Sequence, residues 1–290
     1  NETPCNGGMG VLNRSAVKVS LEEPRKKFLE MIAFLRNFGT RAVHLVHVAP
    51  GGSAKHLQKA RDQLGEIGRE VAEFGFEVQT HFSKGHAPSA FIGVAESQEV
   101  DYVSIFWVSK PVLRNALLGS IDADILRLSN LPVFIHNAKL FQPVVALESV
   151  LYATDFTSTD CAVMPYLVDS RFKAQKLYLL HVGDRAPDPA TEKRRKQQVL
   201  DNLERLAREC SHAYEEVEVI ETIGLARREI VKQAAAHNVD LIVAGKSQNL
   251  SPVGQIIGST AEILPHRAKC SIFIIPGVCS INRPVEGNAA

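Results

Sequence analysis

No stretch of the chain approaches the ~20 consecutive apolar residues that a membrane-spanning helix requires, so a helical span is excluded. Net charge is almost absent. Lys and Arg number 33 against 32 Asp and Glu, leaving +1, and no global basic field exists to hold nucleic acid or an anionic membrane surface. Cysteine is scarce: Cys5, Cys161, Cys210, Cys270 and Cys279 are scattered, with no CxxC pair and no histidine partner at zinc spacing, so neither a metal site nor a disulfide framework is expected. A chain this long closes a core without such staples, which makes a reducing cytoplasm the expected compartment. The first ten residues lack the charged-then-apolar pattern of a signal peptide and read as a polar tail.

What the chain does have is ordinary globular composition, 45% hydrophobic and 22% charged, which excludes disorder. At roughly 150 residues per domain its 290 residues make about two units. It also repeats itself. Asp101-Tyr-Val-Ser-Ile-Phe and Asp240-Leu-Ile-Val-Ala-Gly stand 139 residues apart. The same offset joins Gly85 to Gly224, Gly119-Ser120 to Gly258-Ser259, and Val133-Phe-Ile to Ile272-Phe-Ile. Earlier in each half His47-Val48 matches His181-Val182 at an offset of 134. An ordered series at nearly one offset marks a duplicated fold. The halves are expected at 15–138 and 149–280, flanked by tails at 1–14 and 281–290.

In the second half, apolar runs at 149–154, 176–182, 217–220, 240–244 and 271–275 read as strands, near-continuously apolar as parallel strands covered on both faces are. Between them lie helical patterns to about 172, from 191, over 227–237 and from 258. Val199, Leu203, Leu206 and Cys210 recur at spacings of 4, 3 and 4, a single helical stripe. The first half follows the same order, with strands at 16–20 and 42–48, a helix over 24–38, and a second helical stripe through Leu57, Leu64, Ile67, Val71 and Phe74. Alternation of this kind implies right-handed βαβ crossovers and parallel sheets. Each half is therefore expected to be a five-stranded, doubly wound α/β domain of Rossmann-like type.

In such sheets ligands bind beyond the carboxyl ends of the strands, where the strand order reverses. The residues to consider in the second half are Asp155, Val182 and the loop 245–259. That loop runs Gly245-Lys-Ser-Gln-Asn-Leu-Ser-Pro-Val-Gly-Gln-Ile-Ile-Gly258-Ser259 and leads into Thr260. A glycine after a strand and Gly-Ser-Thr opening a helix form an anion cradle: the first N–H groups of the helix are unpaired, its dipole favours negative charge, and the Ser259 and Thr260 hydroxyls donate. The plain alternative is a helix cap that binds nothing.

These motifs in this order resemble the universal stress protein family in its tandem two-domain form. The resemblance is carried by Tyr152-Ala-Thr-Asp155-Phe-Thr, Leu179-Leu-His181-Val182, Asp240-Leu-Ile-Val-Ala-Gly245, Gly258-Ser259-Thr260 and Cys270-Ser-Ile-Phe-Ile-Ile-Pro276. It covers nearly all of the second half and, more weakly, the first from about residue 16. It implies an adenine nucleotide alpha hydrolase-like fold that binds ATP, ADP or AMP, with Mg2+ arriving only with the nucleotide. Asp155 and the backbone at Val182 take the adenosine end; Gly245, Gly258, Ser259 and Thr260 take ribose and phosphates. The family's nucleotide-binding pattern has glycine where this chain has Gln248, whose amide is itself a donor for a phosphate oxygen. The resemblance further implies pairing through the last strand of each domain, here residues 132–136 beside 271–275 as an intrachain pseudo-dimer, and opens the way to a homodimer.

In the first half Phe106 and Trp107 replace Gly245 and Lys246, and Leu21 stands against Asp155 at the 134 offset, so that half reads as a blocked copy whose Phe106 and Trp107 pack between the halves. His47 and His181 end matching strands and lack a nucleophile signature, which makes them strand-end residues. His44 reads as a satisfied polar residue, and Cys161 and Cys210 as core. Lys246 is the one basic side chain in the loop, without the glycine spacing of a P-loop. The expected function is a stress-response binding and regulatory module, not an enzyme, with an unidentified protein partner and no nucleic-acid or membrane partner. The alternatives are a protein that binds no nucleotide and acts by contact alone, or an adenylating enzyme on a related fold.

Overall fold

The computed structural model describes residues 12–107, 121–137, 146–157, 159–169, 171–172, 174–246, 249–251, 254–256 and 259–277. The first half runs β1 (Arg14–Lys18), α1 (Arg25–Phe34, continued by a 3-10 turn Leu35–Phe38), β2 (Ala42–Ala49), α2 (Ala54–Glu73), β3 (Glu77–Lys84), α3 (Ala87–Ser97), β4 (Tyr102–Trp107), α4 (Ile121–Leu128) and β5 (Val133–Asn137). The second runs β6 (Ser149–Thr154), α5 (Thr159–Val168), β7 (Lys176–Gly183), α6 (Pro189–Cys210), β8 (Glu216–Ile223), α7 (Ala226–Ala236), β9 (Leu241–Lys246), a hairpin of β10 (Asn249–Ser251) and β11 (Gly254–Ile256), α8 (Ser259–Arg267) and β12 (Ser271–Pro276).

The strands form one ten-stranded sheet in the order β3-β2-β1-β4-β5-β12-β9-β6-β7-β8. Within each half the local order is three-two-one-four-five, all parallel. The doubly wound expectation holds in both halves. Helices cover both faces, and the apolar strands feed two cores, one on each side of the sheet. Val199, Leu203, Leu206 and Cys210 are buried as their spacing requires. In α2 Leu64, Ile67 and Val71 are buried, but Phe74, at the helix end, is among the exposed apolar residues. The first strand begins two residues before the expected 16–20, and the hairpin interrupts what reads in sequence as a plain loop.

The repeat is exact in detail at the amino edge of the sheet. Asp101 Oδ2 accepts the backbone N–H groups of Asn13 (2.9 Å) and Arg14 (2.7 Å). Asp240 Oδ2 accepts those of Glu148 (3.0 Å) and Ser149 (2.9 Å). At the other end of the same strands Leu21 (φ 68°) and Phe156 (φ 58°) both adopt the left-handed backbone that non-glycine residues rarely take. These anchors set the offset at 135 for the first strand, not 134. Asp155 therefore corresponds to Ser20, not Leu21. Ser20 Oγ accepts the N–H of Glu22 (3.2 Å) as Asp155 Oδ1 accepts that of Thr157 (3.1 Å), so a side-chain turn of the same kind survives in both halves.

The halves join where β5 and β12 pair antiparallel, with Val133, Phe134 and Ile135 opposite Ile274, Phe273 and Ile272. This is the pairing expected of the last strands. On one face an aromatic cluster spans the seam: Phe38 meets Phe134, Phe172 and Phe273 edge-on, with ring centroids 5.1, 5.8 and 5.6 Å away. Beside it His136 is fully buried, 3.3 Å from Ser271 Oγ through Nδ1 and stacked on Phe106.

Two outcomes follow from this seam. Phe273→Ala removes the central ring and should lower the unfolding free energy by about 3–5 kcal/mol, read as a shift of the urea midpoint; a loss below about 1 kcal/mol would show that the cluster is not structural. Burial pushes the His136 pKa down to about 3 from its ordinary 6.5. The unfolded chain then takes up its proton first, so stability is complete above about pH 6.5 and falls as the pH drops toward 3, by up to about 1.4 kcal/mol per pH unit for one such group. His136→Asn should flatten that part of the curve measured by denaturant titration from pH 7 to 4.

Candidate functional site at the strand-order reversal

Between β6 and β9 the strand order reverses, since the chain leaves β6 toward one side of the sheet and β9 toward the other. Open α/β sheets place their ligand crevice at such a reversal, beyond the carboxyl ends of the strands. Asp155 lies one residue beyond β6 and is exposed. Its Oδ1 is committed to the local turn, accepting the Thr157 N–H (3.1 Å) and hydroxyl (2.6 Å) and, at 3.4 Å, the Thr159 hydroxyl. Its Oδ2 accepts no hydrogen bond from the described residues.

Gly245 lies on β9 at the same crevice, and the reason for its lack of a side chain differs from the expected approach of a ligand. A Cβ there would stand 2.8 Å from Cβ of Thr159 and 3.0 Å from its hydroxyl, and the backbone φ is not in the left-handed region. Glycine lets the start of α5 close onto β9. Val182, on β7, is half-buried and packs into the core that also holds Ile220 and Ala226. Ser259 opens α8 and Thr260 lies half-buried in its first turn. Gln248 and Gly258 lie outside the described residues, as do Gly119 and Ser120 of the first half.

Behind Asp155 is a carboxylate that the sequence reading passed over. Asp160, in the first turn of α5, accepts the Tyr152 hydroxyl at 2.5 Å and the Thr154 hydroxyl at 2.9 and 2.8 Å on its two oxygens. Burial raises its pKa, opposed by those hydroxyl donors. Burial, with the neighbouring Asp160 charge, pushes the Tyr152 phenol well above its ordinary range. The spacing of Tyr152, Thr154 and Asp160 has no motif value; the tight turn at Phe156 brings them together.

Lys246 is placed otherwise than its position in the loop suggests. It lies inside the candidate loop, yet its ammonium does not face the crevice. It is 3% exposed and crosses to the first half, where Nζ donates to the carbonyls of Leu126 (2.9 Å), Arg127 (2.8 Å) and Ser129 (3.1 Å) at the end of α4. Burial pushes its pKa down to about 8, while three carbonyls at the negative end of a helix dipole favour the charged form. The matching residue of the first half, Trp107, also crosses, meeting His266 of α8 edge-on at 5.0 Å. Phe106 instead stays in its own half, against Phe28 and His136. Of the two aromatics expected between the halves, only Trp107 is there.

His181 and His47 are strand-end residues. Each sets Nδ1 against the last carbonyls of the neighbouring strand, Thr154 (3.0 Å) and Val19 (2.8 Å); a carbonyl only accepts, so Nδ1 carries the proton. His181 also stacks on Phe156 at 4.5 Å. His44 is satisfied by His81 at 3.1 Å, and burial lowers the pKa of both. Cys210 is buried but Cys161 is exposed on α5, contrary to its reading as core, because the helix presents that position to solvent. Among the described residues no group of three or more His, Cys, Asp or Glu is placed to hold a metal ion, and no helix is long and apolar enough to cross a membrane.

Comparison with known proteins bears on the fold and family. Residues 147–276 match the model of the Universal stress protein family. A universal stress protein of Methanocaldococcus jannaschii is 27% identical over 85 residues, 29% of this chain and 52% of that protein. The chain thus spans about half the length of the curated relative it matches. A universal stress protein structure from Archaeoglobus fulgidus superposes with a TM-score of 0.70 at 19% identity, covering 92% of this chain and 97% of that one. A functionally unknown protein from Pseudomonas aeruginosa gives 0.69 at 15% identity, over 93% and 94%. At such identities the likeness establishes the two-unit fold.

Gly245→Ala should destabilise the protein by about 1–3 kcal/mol, the range for an overpacked contact, because the clash is with a backbone-proximal carbon of Thr159 that has no rotamer to escape into. Thermal or urea unfolding reads it, and an unchanged midpoint would disprove the close α5–β9 contact.

Proposed function

We propose that this chain, whose residues 147–276 form a universal stress protein domain within a fold built twice, is a stress-response binding module that takes an adenine nucleotide in its second half. One observation carries the reading: at the strand-order reversal Asp155 presents a carboxylate with Oδ1 locked in its own turn and Oδ2 directed to no described partner. A fixed acceptor of this kind suits the hydroxyls of a ribose. In the first half the same position holds Ser20, whose hydroxyl is a weaker acceptor, and Phe106 takes the place of Gly245.

In this reading Asp155 holds the ribose, the backbone at Val182 meets the base edge beside an apolar wall with Ile220, and Gly245 with the first N–H groups of α8 and the Ser259 and Thr260 hydroxyls takes the phosphates together with Gly258 and the amide of Gln248. Mg2+ would accompany the phosphates of the nucleotide; the half-buried carboxylate behind Asp155, Asp160, is already occupied by two hydroxyl donors. For the same reason the module binds and does not turn over: phosphoryl transfer needs a positioned base and metal-bearing carboxylates. The nucleotide acts by population shift, favouring one arrangement of the loop that a partner protein reads. The free cysteines Cys161, Cys210 and Cys270 suit a reducing cytoplasm.

A second reading, action through protein contact alone, is favoured by one fact: the ammonium of Lys246 is committed to α4 and is lost to the phosphates. Titration calorimetry with ATP, ADP and AMP, with and without Mg2+, separates the two. Saturable 1:1 binding is expected, weakened about tenfold by Asp155→Ala, the worth of one hydrogen bond to a charged group. Absent or millimolar binding of all three overturns the nucleotide reading and leaves the contact module.

A further inference from the structure

Helix α4 of the first half is held at both ends. Asp122 in its first turn pairs with Lys18 of β1, and the carbonyls at its end receive the three hydrogen bonds of Lys246, a residue of the second half. Two more contacts reach the same helix from the second half. Arg127 of α4 donates to Glu262 of α8 at 3.0 Å, with Asp124 on the same guanidinium. Strand β11 of the hairpin lies against α4. Along the second half, then, the end of β9, the hairpin and the first turns of α8 all rest on one helix that belongs to the other half. These are the two ends of the candidate phosphate loop and the hairpin within it.

The reciprocal contact is different in kind. Trp107 precedes Lys246 by the repeat offset of 139, and His266 follows Arg127 by the same 139, so Trp107 on α8 is the counterpart of Lys246 on α4. Its ring meets His266 edge-on, and among the described residues the indole Nε1 and the His266 Nδ1 find no hydrogen-bond partner. Of the two matched residues, Lys246 makes directional, charge-assisted bonds to α4, whereas Trp107 makes only an edge-on ring contact with α8. A single buried ammonium that satisfies three helix-end carbonyls fixes the position of its own backbone more tightly than an edge-on ring does.

We infer that α4 is a brace for the other half's site: the half that lacks the carboxylate and the glycine holds the hairpin and the start of α8 in place, with Lys246, Arg127 and Glu262 as positioning residues. The ligand in question is the adenine nucleotide of the reading above, on which this part rests; the bracing itself concerns the protein alone.

Hydrogen exchange read by mass spectrometry on the full chain without nucleotide tests the brace, comparing wild type with Lys246→Met and Glu262→Gln. Peptides covering β10, β11 and the start of α8 should exchange about tenfold faster in both variants, the loss expected of one charge-assisted bond, while those of α6 remain unchanged. Unchanged exchange in either folded variant overturns the inference, and Glu262→Gln, a part-exposed pair, decides it if Lys246→Met does not fold. Calorimetry on the same proteins supplies the second arm. If wild type binds nucleotide, Glu262→Gln should weaken it severalfold and Lys246→Met about tenfold, and equal affinity in both overturns the inference. If wild type binds none, the functional reading fails and the exchange data still decide the brace.

Discussion

Everything in this molecule depends on two apolar strands meeting edge to edge. Val133-Phe-Ile and Ile272-Phe-Ile would each, alone, present an uncovered row of backbone donors and acceptors flanked by large apolar side chains, a template for unwanted association. Their antiparallel pairing removes both edges at once and makes one sheet of ten strands. The edges that remain, β3 and β8, carry Glu77, Lys84, Glu216 and Glu218, the charged composition that blunts an open edge. Because the seam is antiparallel, the crossing contacts are related by an approximate two-fold: Phe134 faces Phe273, and Lys246 and Trp107 each reach the fourth helix of the opposite half.

The symmetry of the backbone makes the asymmetry of the side chains informative. At matched positions the halves hold Ser20 and Asp155, Trp107 and Lys246, Arg25 and Asp160. Arg61 lies over the Phe82 ring where Arg195 pairs with Glu221 at 2.6 Å. In the second half these positions hold the carboxylates Asp155 and Asp160 and the paired cations Lys246 and Arg195; in the first they hold Ser20, Trp107, Arg25 paired with Glu70, and Arg61 over a ring. Both keep the devices that build the fold: the aspartate that caps the first strand, the histidine against its last carbonyl, and the left-handed residue after it. The groups that build the fold are shared, and the side chains at the ends of the strands differ.

Much of this was legible from residue order. The duplication, the parallel five-stranded units, the buried faces of α2 and α6, and the pairing of the last strands follow from periodicities and a nearly constant offset. The errors have local causes. A one-residue difference in the first connection set Asp155 against Leu21 until the capping aspartates fixed the register. The hairpin was hidden because Ser, Pro, Gly and Asn between short strands look like any loop. Cys161 was misplaced because the apolar pattern of α5 has little angular preference, leaving its buried face undetermined by spacing.

Residue order by itself determined the type of each half, the place of the crevice and the carboxylate beside it, since strand and helix periods and the rule of strand-order reversal act over a few residues or one βαβ unit. Only the tertiary structure decided that Gly245 makes room for Thr159, that Asp160 is satisfied by Tyr152 and Thr154, and that Lys246 leaves its own loop to cap α4. A lysine's partner is whatever acceptors its long stem reaches once water is excluded. Those acceptors lie about 120 residues back in the chain, brought near by the packing of one half on the other.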